Sequence, residues 1–212
     1  YYTDNGGLIT GGVFRKDITD FFGTVQVPRA SAEVIEELGL DERYVGWRLN
    51  TSINSGAARV SGIELNVRQS LAPLGKYGRF FSVFANATRL KLEGNRTADF
   101  NRFLPKSANW GFTFTKNPVT FMAKWHHRGE QNRGPSTGLG PLAFAYQDAR
   151  TTLDVNLSYQ AFKRLSVFVN SRNVTNVHFN ASRYQFDTPE YARRQSSNSY
   201  GAQWAFGVKG TF

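Results

Sequence analysis

The chain has 212 residues, 40% of them hydrophobic and 15% aromatic, with 20 Gly, 18 Phe, one Met, no Cys and a formal net charge of +10. The lack of Cys excludes disulfide scaffolds, thiol nucleophiles and Cys-ligated zinc or iron–sulfur clusters. No run of about 18 apolar residues exists, which excludes a transmembrane helix but not a spanning strand, since a strand needs only about ten residues of alternating character.

The chain opens on Tyr1 and Tyr2 without an initiator Met or a charged and apolar leader, so a processed product or a piece of a longer protein is expected. A first strand is expected over 8–22 (LITGGVFRKDITDFF). SAEVIEELGL follows, where Ser31 can cap a helix, Glu33 favours its first turn and Gly39 can end it. It is the one helix the sequence predicts. In SGIELNVRQSL, Ile63, Leu65, Val67 and Leu71 alternate with Gly62, Glu64, Asn66, Arg68 and Ser70, and this strand could start as early as Tyr44.

Strands are next expected over 79–92, where two phases fit around Phe80 and Phe81, and over 106–116. In VTFMAKWHH, Val119, Phe121, Ala123 and Trp125 oppose Thr120, Met122, Lys124 and His126; in TTLDVNLSY, Leu153, Val155, Leu157 and Tyr159 oppose Thr152, Asp154, Asn156 and Ser158. A strand over 165–176 precedes the most legible segment, SYGAQWAFGVKGTF. There Tyr200, Ala202, Trp204, Phe206, Val208, Gly210 and Phe212 share one face, and Gln203 and Lys209 lie on the other.

Short connections (71–78, Asn117-Pro118 and 161–164) alternate with long polar ones (about 23–43, 93–105, 127–149 and 177–198). That alternation, with Trp110, Trp125, Tyr159, Tyr200, Trp204 and Phe212 at or near strand ends on the apolar face, predicts an all-β antiparallel transmembrane barrel meander of about eight strands. A self-contained eight-stranded outer-membrane barrel, structural or adhesive, is one alternative. A soluble β-barrel that binds an apolar ligand is the other.

GGVFRKDITDFF, VSGIELNVRQSLAPL, FSVFANATRL, LPKSANWGFTF, LSVFVNSRNVTN and the terminal strand ending in Phe212 resemble, in order and spacing, the C-terminal half of the barrel of TonB-dependent outer-membrane receptors. The resemblance implies that residues 1–212 are the last eight strands of a 22-stranded barrel, without the plug domain, the N-terminal strands or the energy-coupling box. It implies the outer membrane of a Gram-negative bacterium and TonB-coupled uptake of a scarce nutrient. FRKDITDFF and the helical loop after it look most like large carbohydrate receptors of that family, and ferric siderophores are its broader substrate class. Phe212 matches the terminal aromatic that the barrel-assembly machinery recognises. The implied partners are outer-membrane lipid and lipopolysaccharide, the TonB complex through the plug, and a small-molecule nutrient.

The lumen face (Glu64, Asn66, Arg68, Lys124, Asn156, Gln203, Lys209) is expected to contact the plug. In the loops, Gln131, Asn132, Arg133, Phe144 and Tyr146 are the expected ligand contacts, because sugars stack on aromatic rings and hydrogen-bond to Asn, Gln and Arg. Arg193 and Arg194, with Arg128, Arg133 and Arg183, could draw in an anionic ligand or lipopolysaccharide phosphates. His126 and His127 are adjacent on a strand and point to opposite faces, so no metal site is expected of them. No nucleophile motif accompanies the three His, and neither enzymatic activity nor a cofactor is expected. The basic residues are dispersed without a recognition fold, which argues against nucleic acid.

Overall fold

A computed structural model describes residues 1–3, 6–20, 22–27, 29–54, 57–94, 103–136 and 143–210. Fourteen strands occur among the described residues: β1 (Leu8–Ile18), β2 (Phe22–Val27), β3 (Leu49–Asn54), β4 (Ala58–Ser70), β5 (Phe81–Gly94), β6 (Lys106–Lys116), β7 (Val119–Arg128), β8 (Gln131–Pro135), β9 (Phe144–Gln147), β10 (Arg150–Phe162), β11 (Leu165–Arg172), β12 (Phe179–Tyr184), β13 (Arg194–Asn198) and β14 (Gln203–Gly210). Two short helices join them, α1 (Ala32–Glu37) and α2 (Glu190–Arg193). The chain divides into two compact units, one of Tyr1–Phe14, Ser61–Lys91 and Asn101–Phe212, the other of Arg15–Val60 and Leu92–Phe100.

Eight strands form one sheet in the order β1-β4-β5-β6-β7-β10-β11-β14. Neighbours in space are neighbours along the chain once the strands within the long connections are set aside, as in an antiparallel meander. Tight turns join β4 to β5, β6 to β7 and β10 to β11. The other four connections are long, as the sequence predicts. Strands β1 and β14 are the two edges, so the sheet is open.

Register assigns the two faces. Trp110 pairs with Trp125, which pairs with Leu153; Phe112 pairs with Ala123, Ala123 with Val155, and Phe114 with Phe121 and on to Leu157. Tyr159, Val167 and Val208 continue one row, and Leu157, Val169 and Phe206 another. These rings touch along the face: Trp110 and Trp125 stack 6.4 Å apart, and Phe112 lies 5.8 Å from Phe121. The face is nevertheless open, with Val13 81% exposed, Phe206 73% and Val208 65%. Among the described residues the buried apolar side chains are Ala30, Ile35, Ala58, Ala123 and Ala143, only one of them larger than alanine. In this open sheet the large apolar side chains stand exposed along one face, a surface of the kind that a bilayer covers.

The opposite face carries Lys124, His126, Asp154, Asn156 and Asn170, and three of its aromatics sit over glycines. A Cβ at Gly62 would stand 2.7 Å from Phe14 Cζ, one at Gly111 would stand 2.9 Å from Phe84 Cζ, and one at Gly207 would stand 2.6 Å from Phe168 Cε1. A ring laid across a strand glycine replaces the missing side-chain packing and pins register. It also resolves the phase of β5. Phe81 pairs with Phe114 on the apolar face, whereas Phe84 belongs to the polar face, where it covers Gly111.

Several boundaries differ from expectation. β1 ends at Ile18 rather than 22, and Asp20 takes φ 54, a conformation that breaks a strand. No strand runs from Tyr44 into β4: Glu42–Tyr44 is a 3₁₀ turn whose Asp41 carboxylate accepts from the Arg43 N–H at 3.0 Å. β3 pairs instead with β2, from Phe22↔Asn54 to Val27↔Leu49. The helix forms as predicted, with Ser31 Oγ accepting from the Val34 N–H at 3.4 Å and Gly39 at φ +65 just beyond its end. α2, which the sequence reading does not anticipate, is a second. Phe212 lies outside the described residues.

Candidate functional site

Two of the long connections fold into a sheet of their own. β8 and β9 come from the β7–β10 connection, β12 and β13 from the β11–β14 connection, and they assemble in the order β13-β12-β9-β8. Asn132 pairs with Tyr146, Tyr146 with Ser182, and Ser182 with Arg194, a single row across four strands. Pro135 pairs with Phe144 and Phe144 with Tyr184 in the next row on that face. Most of the residues expected to meet ligand therefore share one small sheet, although up to 63 positions separate them in sequence.

Their environments differ. Gln131 is buried, accepting from Arg128 Nη2 at 3.3 Å, and it pairs with Gln147. Its side chain belongs to the framework of the loop sheet. Asn132 Oδ1 accepts from the Gly134 N–H at 2.8 Å and shapes the bulge between β8 and β9, while Arg133 is exposed there. Tyr146 stacks on Tyr184 with centroids 4.2 Å apart and planes 15° apart, and the Arg193 guanidinium lies 4.8 Å above the Tyr184 ring. Arg193 is steadied by donating Nε–H to the Thr188 carbonyl at 2.9 Å. Arg194 is exposed on β13. A second group forms beside them, with Arg150 4.0 Å above the Phe179 ring and Tyr200 edge-on to it at 5.1 Å.

Sequence reasoning missed Tyr184 and Glu130. The Tyr184 hydroxyl donates to Glu130 Oε1 at 3.1 Å, a contact across 54 residues. Burial, and next the negative charge of Glu130, push the Tyr184 phenol well above its ordinary value. A raised value means that the folded state holds the phenol proton more tightly than the unfolded state. Its contribution is complete below the ordinary tyrosine range near 10 and is lost as pH climbs through the folded value. Phenolate absorbance from Tyr184 should therefore develop only above the ordinary tyrosine range, so that Tyr184→Phe removes only the most alkaline step. Removal of an early step instead would contradict the geometry.

The sheet's polar face carries the expected lumen residues. Glu64, Asn66, Arg68, Gln203 and Lys209 are exposed there, Lys124 is half-buried opposite Asp154, and Asn156 donates through Nδ2 to Asn170 Oδ1. The face also holds a row of polar contacts that the sequence did not disclose. Asn109 Nδ2 donates to Asn86 Oδ1 at 2.9 Å, Asn109 Oδ1 lies 2.5 Å from His126 Nδ1, and His126 Nε2 lies 3.2 Å from Asp154 Oδ2. His127 points the other way, to Thr151 Oγ1 at 2.9 Å, as adjacent strand residues must.

An open meander, long connections on alternate turns and a polar face opposite an exposed aromatic one match a known family: the model for the TonB dependent receptor-like β-barrel matches residues 1–174. The chain belongs to that family. Among solved structures, this TonB-dependent receptor barrel chain is similar to the copper transporter OprC, with a TM-score of 0.63 and 14% identity over all of this chain and 30% of that one. It is also similar to the siderophore receptor PirA from Acinetobacter baumannii, with a TM-score of 0.60 and 14% identity over the same shares. At that identity the likeness is one of fold. The chain spans about a third of the length of these structures. No curated protein matches it.

Proposed function

We propose that residues 1–212 are the C-terminal segment of a 22-stranded TonB-dependent receptor, resident in the outer membrane of a Gram-negative bacterium and driving energised uptake of a scarce nutrient. The observation that carries this reading is the eight-stranded sheet with exposed apolar side chains on one face and titratable groups on the other. Lipid suits the first face, and a hydrated, plug-filled lumen suits the second. Long connections then lie outside the cell and short turns in the periplasm. Glu64, Asn66, Arg68, Lys124, Asn156, Gln203 and Lys209 meet the plug, through which TonB acts. Phe212 is the signal for the assembly machinery, and the outer basic residues face lipopolysaccharide.

The ligand is a carbohydrate or a ferric siderophore, met by the loop sheet. The Tyr146–Tyr184–Arg193 stack offers a rigid aromatic and cationic edge, and Arg133 and Arg194 add exposed positive charge. A strain lacking the receptor gene, supplied with single carbohydrates or single ferric siderophores at low concentration, should lose uptake of one class only. Loss of TonB should give the same defect. Undiminished uptake of every compound, or uptake that survives loss of TonB, would overturn the assignment.

A further inference from the structure

The short-turn end of the sheet is unusually cationic. The three turns carry Lys76, Arg79, Lys116, Lys163 and Arg164, while 71–80, 114–120 and 160–166 contain no Asp or Glu. Two of these cations converge on one ring. Arg79 Cζ lies 4.8 Å and Lys116 Nζ 5.4 Å from the Phe80 centroid, and both side chains are exposed. Neither makes an ion pair among the described residues. Phe80 in turn lies 6.2 Å from Phe114, which lies 5.0 Å from Phe81 on the apolar face. A pair of unneutralised cations thus caps the end of an aromatic strip on the apolar face.

We propose that Arg79 and Lys116 bind the headgroup phosphate of an anionic phospholipid whose acyl chains lie along the Phe81–Phe114 strip. This rests on the membrane reading above, which places the short turns at the periplasmic leaflet, where the lipids are phospholipids. A cation held over a ring keeps its N–H groups available. The Arg guanidinium can fork onto two phosphate oxygens, while Lys116 adds a point charge. Free phosphate would gain only the charge term, whereas a lipid also covers apolar surface, so the two halves of the site together select a lipid. The net negative charge of the headgroup matters as well, because a zwitterionic lipid brings its own ammonium to compete with Arg79 and Lys116.

The test is lipid retention by the complete receptor polypeptide carrying this segment. It is placed in nanodiscs of equal phosphatidylglycerol and phosphatidylethanolamine and moved to detergent, and its co-purified lipids are counted by native mass spectrometry. The wild type should retain phosphatidylglycerol in preference. R79Q with K116Q should lower that retention roughly 30-fold, taking each surface cation near an anionic leaflet at its usual worth. K163Q with R164Q, in the β10–β11 turn, should leave most of it, and R79K with K116R should restore it while showing that the fold tolerates change at both sites. No headgroup preference in the wild type, equal retention by R79Q with K116Q, or equal loss from K163Q with R164Q would overturn the site while leaving the membrane assignment standing. Failure of the wild-type polypeptide to enter the bilayer would overturn both.

Discussion

Alanine at Gly111 should destabilise the sheet by about 3 kcal/mol, at the upper end of what overpacking costs, and no second substitution of the overlying ring should recover it. A Cβ at Gly111 runs into the backbone carbonyl oxygen of Ala123 on the neighbouring strand as well as standing 2.9 Å from Phe84 Cζ. The ring can be trimmed, but the carbonyl is held in the β6–β7 ladder, where Gly111 pairs with Lys124 and Phe112 with Ala123. Gly207 offers the contrast. The three atoms nearest to a Cβ there all belong to the Phe168 ring, with Cε1 at 2.6 Å. Alanine at Gly207 should therefore also be costly, but Phe168→Ala should absorb it, leaving a coupling energy of about 2 kcal/mol between the two sites, within the range for residues in contact. Unfolding in urea from detergent or lipid, followed by tryptophan fluorescence, measures both cycles. Additivity at Gly207 would show that the Phe168 ring does not sit over it as described, and equal rescue at the two glycines would show that the Ala123 carbonyl is no obstacle at Gly111.

The second large effect is expected at Asp154. Its Oδ1 accepts from the Asn173 N–H at 3.0 Å, and its Oδ2 faces His126 Nε2. Asn173 is the root of the last long connection. It stands at φ 52 just after β11, accepts from the Val177 N–H at 2.9 Å and donates Nδ2–H to the Val177 carbonyl at 3.1 Å and the Gly201 carbonyl at 3.4 Å. Asp154→Leu leaves that N–H without its acceptor and His126 without its carboxylate. Hydrogen bonds to charged groups contribute about 1.5–3 kcal/mol each, and the half-exposure of this pair brings the expected total loss to about 2 kcal/mol. Much of the loss should be local. Amides near Asn173 and Val177 should exchange faster and the 173–202 connection should be cut sooner by protease, while the β6–β7 amides stay protected. Asp154→Asn, which keeps an acceptor for Asn173, should lie between. Unchanged protection of the connection in Asp154→Leu would remove Asp154 from the role of anchor.

Period-two alternation found β7, β10 and β14 because each shows one apolar and one polar face without interruption. β5 resisted because Phe84 and Leu90 stand on the polar face, where they cover Gly111 and Gly62. A local pattern does not show that an aromatic is spoken for by a glycine on another strand. The strands of the long connections were invisible for a different reason. QNRGP, FNASRY and RQSSN are short and polar, and no alternation distinguishes them from loop. They form because they pair with one another. Composition was enough to pick out Asn132, Phe144 and Tyr146 as a group. Tyr184 needed its partner Glu130, 54 residues away, and the His126–Asp154 contact needed the β7–β10 register.

On the proposed reading, one face of this sheet meets lipid and the other meets water. The absence of Cys from the chain allows single cysteines to be spin-labelled at successive positions of β14, from Gln203 to Gly210, without removing any native residue of that type. In bilayers, labels at positions 204, 206 and 208 should collide with oxygen dissolved in the hydrocarbon, and labels at 203, 205, 207 and 209 with a water-soluble nickel complex. That result is an accessibility profile of period two. A flat profile, or one in which the nickel complex reaches 204, 206 and 208, would contradict the account.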